Sequence, residues 1–194
     1  MVDRAYNFAA GPAVMPEPVL KRASSEMLNW HGCGMSVMEM SHRGSQFAEI
    51  YSEAKERFKR LLGVPDTHEV LFLQGGATAQ FAAIPLNLMD GRGADYAVTG
   101  NFSGIAAREA AKYGSVHIAY EGKGNGYTHI PTQSELDVDG ASAYFHYCAN
   151  NTIFGTAWDY VPETKGVPLV CDMSSEIMSH PVDVSRYALI YAGA

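Results

Sequence analysis

The stretch Leu71-Phe72-Leu73-Gln74-Gly75-Gly76-Ala77-Thr78-Ala79-Gln80-Phe81 carries the residue types of an anion site: an apolar run, paired glycines, then small residues leading into a helical pattern. A helix N-terminus leaves backbone N–H groups unpaired and partly positive, and glycine lets an anion come close to the main chain. Ala77 and Thr78, at the head of that pattern, are therefore candidates for holding a phosphate, with a plain strand-to-helix turn as the alternative. No lysine follows the glycines, so this is not the Gly-Lys-Ser/Thr loop of nucleoside triphosphate enzymes.

Three further groups could complete such a site, each just after a strand-like run. Phe102 offers an aromatic face for stacking, or fills a core. Thr152 offers a hydroxyl, or caps a turn. Asp172 follows the apolar Leu169-Val170-Cys171, so it is poorly solvated and needs a cation or several donors, helix capping being the rival explanation. In open parallel sheets ligands sit beyond the carboxyl ends of the strands, which puts all these positions on one rim. A cradle for an anion, an aromatic face, a hydroxyl and a carboxylate are the contacts that a phosphorylated heteroaromatic molecule requires.

The elements that must position these groups are readable from periodicity. Breakers in Asn7-Phe8-Ala9-Ala10-Gly11-Pro12 and at Pro16 and Pro18 predict an extended arm over residues 1–15, followed by one domain over 16–194. Val19, Ala23, Met27 and Trp30 recur at helical spacing, and an irregular polar stretch follows from His31 to Gly44. Phe47, Ile50, Tyr51, Ala54, Phe58, Leu61 and Leu62 form one apolar face, predicting a helix over 45–62 that stops at Gly63. Residues 69–73 read as a buried strand, and the helix from Ala77 is expected to kink or end at Pro85. Strands are predicted at 95–99, 115–119, 143–147, 168–172 and 188–191, with a helix at 103–113. Strands separated by helices imply right-handed crossovers and a mostly parallel sheet. The glycines of Glu121-Gly122-Lys123-Gly124-Asn125-Gly126 read as a surface turn and not as a nucleotide loop.

Bulk properties narrow the function classes. The chain has 194 residues, 47% of them hydrophobic, which is the composition of a globular domain. Fourteen basic against twenty-one acidic residues give a formal charge of −7 without a block of like charges, so neither nucleic acid nor an anionic membrane is an expected partner. The three cysteines, Cys33, Cys148 and Cys171, lack Cys-x-x-Cys spacing, which argues against a disulfide framework or thiolate metal site and suits the cytoplasm. No signal peptide or transmembrane-length apolar run is present in the sequence. The chain ends on Tyr191-Ala192-Gly193-Ala194, straight after an apolar run, which reads as a domain incomplete at its C-terminal end.

Collinear motifs along the whole chain resemble the phosphoserine aminotransferases of the class V, fold-type I group of pyridoxal 5'-phosphate enzymes. They are Asn7-Phe8 with Gly11-Pro12; Met35-Ser36-Val37-Met38-Glu39 with Ser41-His42-Arg43; Leu71 to Ala77 with Gln80-Phe81; Asn150-Asn151-Thr152-Ile153; Asp172-Met173-Ser174-Ser175; and Tyr191-Ala192-Gly193-Ala194. The resemblance implies the large domain of the PLP-dependent transferase fold, an α/β structure with a mostly parallel sheet and helices on both faces. It implies that Ala77 and Thr78 hold the cofactor phosphate, Phe102 stacks on the pyridine, Thr152 stands near the phenolic oxygen and Asp172 pairs with the ring nitrogen. His42 and Arg43 fall on the substrate-anion motif.

Two positions depart from the family. Phe102 replaces a common Trp, keeping the π-face but losing area and the N–H donor. Ala10 stands where some relatives have a serine touching substrate. The resemblance further implies a homodimer acting on L-glutamate and a phosphorylated 2-oxo acid in serine biosynthesis. Its Schiff-base lysine is expected just beyond Ala194, in a remaining C-terminal part of the enzyme; Lys112, Lys123 and Lys165 do not match it. A lyase or desulfurase of the same fold, and a non-catalytic anion-binding module, are the other readings.

Overall fold

The computed structural model describes residues 4–9 and 11–193. Ala10, where some relatives are expected to have a serine, lies outside the described residues, as does Ala194. Contacts divide the chain into two compact units, Met1–Arg60 and Leu61–Ala194.

In the first unit, α1 (Glu17–Glu26) starts behind Pro16 and carries Pro18 in its first turn, where a missing N–H leaves no helix bond unmade. The turn Val37–Glu39 is fixed by a capping box: Glu39 accepts from the Ser36 N–H at 2.8 Å, and Ser36 Oγ accepts from the Met38 N–H at 3.3 Å. Helix α2 (Ser45–Leu62) has the predicted bounds, and Gly63 stops it in the left-handed region at φ 60°. None of the apolar side chains of α2 is buried.

The second unit is a parallel sheet. Its strands are β1 (Ala94–Val98), β2 (Val116–Glu121), β3 (Phe145–Cys148), β6 (Leu169–Asp172) and β7 (Leu189–Tyr191), in the order β2-β1-β3-β6-β7. A small antiparallel hairpin, β4 (Asn150–Asn151) and β5 (Thr156–Ala157), follows β3. Alternate residues separate two cores, because successive side chains of a strand point to opposite faces. On one face Tyr96, Val98, Val170 and Tyr191 pack with Phe81 and Ile84 of α3 (Gly76–Leu88) and with Ala106, Ala107 and Ala110 of α4 (Asn101–Ala110). On the other, Phe145, Tyr147, Leu169 and Cys171 meet Leu136, Trp158, Val167 and Tyr187, which come from loops and short turns.

Two expectations are corrected. Residues 69–73 belong to neither sheet, and Leu71 and Leu73 stay 65% and 66% exposed. Apolarity marked the run, but a strand exists only through ladder pairing, which composition does not reveal. Helix α3 also continues through Pro85 to Leu88. Proline costs a helix interior about 3 kcal/mol; here its ring is fully buried, next in sequence to the core residue Ile84, so packing offsets the missing hydrogen bond. The glycine-rich segment forms the short turn Gly122–Asn125, as expected.

Phe81 ties α3 to the sheet, its ring edge-on to Tyr191 at 6.2 Å between centroids and 4% exposed. Phe81→Ala is expected to destabilise the protein by about 3–5 kcal/mol, read as a lower urea midpoint with the m-value unchanged.

Candidate functional site

The strand order reverses direction at β1, with β2 on one side and β3 on the other, which is where open sheets bind ligands. Three chain segments meet the carboxyl rim there. The first is the N-terminus of α3. Gly75 is its N-cap at φ 96°, and no side chain caps the first turn, so the amides of Gly76, Ala77 and Thr78 point outward without an intrahelical acceptor. Ala77 is half-buried and Thr78 exposed.

The second segment follows β1. Ser103 Oγ accepts from the N–H groups of Thr99 at 3.1 Å and Gly100 at 3.0 Å, fixing the start of α4. Phe102 sits in that first turn with its ring 45% exposed. A Cβ on Gly100 would lie 2.4 Å from Asn151 Oδ1, so only glycine lets the hairpin come this close. Asn151 Nδ2 donates to Thr99 Oγ1 at 3.3 Å and to Thr156 Oγ1 at 3.1 Å. That clamp fixes the hairpin, and Thr152 is exposed on its turn.

Asp172 ends β6 and is 6% exposed. Its Oδ1 accepts from Ser174 N at 2.9 Å and Ser174 Oγ at 2.6 Å. Among the described residues no cation pairs with it. Ser174 Oγ also accepts from the Gly193 N–H at 3.0 Å, and a Cβ on Gly193 would lie 2.8 Å from the Ala77 nitrogen. The cradle and the carboxylate are thus linked through Gly193 and Ser174. Register places Cys148, Asp172 and Tyr191 side by side on one face. Burial first, then the Asp172 carboxylate, pushes both the Cys148 thiol and the Tyr191 phenol well above their usual ranges.

The structure therefore brings Ala77, Thr78, Phe102, Thr152 and Asp172 to the ends of elements in one unit. His42 and Arg43 lie in the other, exposed on the turn before α2, where Ser41 Oγ accepts from the Arg43 N–H at 3.2 Å. Lys112 is engaged with Glu109, and Lys165 Nζ donates to the Val138 carbonyl at 2.8 Å, so neither serves the rim. A cavity of about 490 Å³ beside Trp158 and Tyr187 lies on the other face and touches none of the rim residues. No group of three or more His, Cys, Asp or Glu among the described residues is arranged to hold a metal. Sequence reasoning passed over Ser174, Asn151, Gly193, Cys148 and Tyr191 as individual contributors. Only Gly193 carried a signal, as a glycine two residues past the end of a strand.

The aminotransferase class-V family model matches residues 5–194. The chain belongs to the class-V aminotransferase family. Curated relatives include the phosphoserine aminotransferases of Pseudomonas fluorescens (strain SBW25), 54% identical over 100% of this chain and 54% of that protein, and of Laribacter hongkongensis (strain HLHK9), 52% identical over 97% and 53%. This class-V chain spans about half the length of the curated relatives it matches. Among solved structures, the phosphoserine aminotransferase of Bacillus circulans subsp. alkalophilus superposes with a TM-score of 0.94 at 44% identity, over 98% of this chain and 53% of that one. A PLP-bound phosphoserine aminotransferase from Trichomonas vaginalis gives 0.89 at 38% identity, over 97% and 53%.

Beneath this class-V rim, His146 is fully buried and desolvation pushes its pKa down to about 3. Its folded value lies below the unfolded value near 6.5, so the unfolded chain binds the extra proton between the two. Stability is expected to be insensitive to this group above about pH 6.5, and to fall as the pH drops below that by on the order of 1.4 kcal/mol per unit. Urea titrations of the parent and of His146→Gln at pH 7 and pH 5 check this; the variant loses about one proton's worth of the slope.

Proposed function

We propose that the chain is the cofactor-holding part of a phosphoserine aminotransferase, which converts L-glutamate and 3-phosphohydroxypyruvate into 2-oxoglutarate and O-phospho-L-serine. What carries the reading is one coincidence. The chain matches phosphoserine aminotransferases along its whole length, and its rim joins an uncapped helix N-terminus to a buried carboxylate that no cation among the described residues satisfies.

The residues present suit pyridoxal 5'-phosphate. The amides at Ala77 and Thr78 bind the phosphate, where a dianion meets the positive end of α3. Phe102 covers one face of the ring and keeps water from it. The Thr152 hydroxyl donates toward the phenolic oxygen. Asp172 would meet the ring nitrogen and favour a proton there, and the two Ser174 bonds hold its carboxylate in place. When bound, the cofactor supplies an electron sink for charge developing at the amino acid's Cα. Arg43 presents a planar fork to a substrate carboxylate or phosphate, with His42 beside it. The reading requires a lysine from outside these 194 residues to make the covalent linkage and move the proton.

A sulfur-transfer reading is disfavoured, because such chemistry needs an accessible thiolate. Cys148 and Cys171 are both buried, and burial pushes both thiols up, while the half-buried Cys33 donates to the Met35 carbonyl at 3.6 Å. We further propose a cytoplasmic homodimer in serine biosynthesis. Both follow from the likeness to phosphoserine aminotransferases along the whole chain.

The deciding assay supplies the protein, loaded with pyridoxal phosphate, with L-glutamate and 3-phosphohydroxypyruvate; 2-oxoglutarate and phosphoserine are expected in equal amounts. Turnover with other acceptors but not with phosphohydroxypyruvate would overturn the substrate assignment alone. Asp172→Asn is expected to lower kcat on the order of 10²–10³-fold. Phe102→Ala is expected to weaken cofactor binding by about 2–10-fold, measured by equilibrium dialysis.

A further inference from the structure

Two buried polar side chains beneath the rim, His146 and Tyr191, make a contact not described so far. His146 of β3 is 1% exposed, its ring stacked on Tyr96 at 4.7 Å between centroids. Its Nε2 lies 2.9 Å from the Tyr191 hydroxyl, while its Nδ1 is buried without a partner. Tyr191 in turn is the register partner of Asp172 on the same face, and the carboxylate lies close enough to push its phenol up. The three side chains thus run diagonally across β3, β6 and β7 on the face that carries α3 and α4. The other titratable group against Asp172 is the Cys148 thiol.

The direction of this row follows from a proton count. A neutral imidazole has one N–H. Placed on Nδ1, it would be a buried donor without an acceptor, the rarest and costliest omission in protein interiors. Placed on Nε2, it donates to the Tyr191 oxygen, and the phenol O–H is then free to donate to Asp172. What remains unpaired is only the bare Nδ1 lone pair, which costs less. Every donor in the row is neutral, so a phenol O–H turned toward the carboxylate would stabilise it without supplying a counter-charge. Its own charge stays available to a cationic N–H arriving from the rim.

We propose that His146 and Tyr191 are positioning residues for Asp172, a neutral donor relay that keeps the carboxylate ionised and so holds the shared proton on the cofactor's ring nitrogen. This rests on the reading above that Asp172 meets that nitrogen. Removing the phenol donor makes Asp172 the better base, and the proton moves from the ring toward the carboxylate. Loss of one hydrogen bond to a charged group shifts that partition by about tenfold or more.

The test is the 15N chemical shift of the ring nitrogen in the protein loaded with 15N-labelled pyridoxal phosphate, which needs no turnover. Asp172→Asn sets the scale by moving the resonance toward the unprotonated value. Tyr191→Phe and His146→Leu are expected to move it part of the way in the same direction. His146→Gln keeps an N–H where Nε2 stands and is expected to retain the parental shift. This rescue separates a donor relay from mere core filling, and it still decides the question if His146→Leu does not fold. If Asp172→Asn moves the resonance while Tyr191→Phe and His146→Leu leave it in place, the relay is wrong and the cofactor reading stands. If Asp172→Asn itself leaves the resonance unmoved, Asp172 does not meet the ring nitrogen, and both fail.

Discussion

A buried carboxylate needs neighbours that replace the water it has lost, and Asp172 is the point on which the rim depends for this. Ser174 donates to it twice, from main chain and side chain. The same hydroxyl receives the Gly193 N–H, so the oxygen that steadies the charge also pins the chain leaving β7. Parallel pairing of β3, β6 and β7 then fills the remaining sides with Cys148 and Tyr191.

The sheet offers its own comparison at the opposite end. Asp95, near the start of β1, is completely buried, yet it accepts from Asp139 N at 2.7 Å and Ser142 Oγ at 2.6 Å and has His117 Nδ1 at 3.2 Å. Its oxygens are spent on holding a loop to the strand. Asp172 receives both Ser174 bonds on one oxygen and sits at the carboxyl end of its strand. Two carboxylates of similar burial therefore differ in what remains available. That difference, and not burial itself, separates a group that maintains the fold from one that can receive a ligand.

Much of this was legible in the sequence, and the limits have physical causes. Helix α2 could be bounded at both ends because seven apolar residues share one periodic face and Gly63 supplies the left-handed stop. The rim positions could be listed because residues after strands must lie on one edge of a parallel sheet. The run at 69–73 misled because its apolar side chains signal a need for cover without saying whether a ladder provides it. Asn151 and Ser174 were quoted within motifs, but their roles depend on Gly100 and Gly193 approaching across the fold. The His146–Tyr191 pair was illegible for a related reason: the residues are 45 positions apart and meet only through strand register.

Gly193 carries a consequence for molecular discrimination. With 2.8 Å between the place of its absent Cβ and the Ala77 nitrogen, main chain sits against main chain, and the Gly193 amide reaches Asp172 through a single hydroxyl. Between the helix terminus and the carboxylate the span passes through one short side chain, that of Ser174, held at both ends by hydrogen bonds. Under the proposed reading the rim works as a fixed gauge with one jaw for a phosphate and one for a ring nitrogen. A congener lacking the phosphate, or carrying it on a longer arm, can engage one jaw but not both.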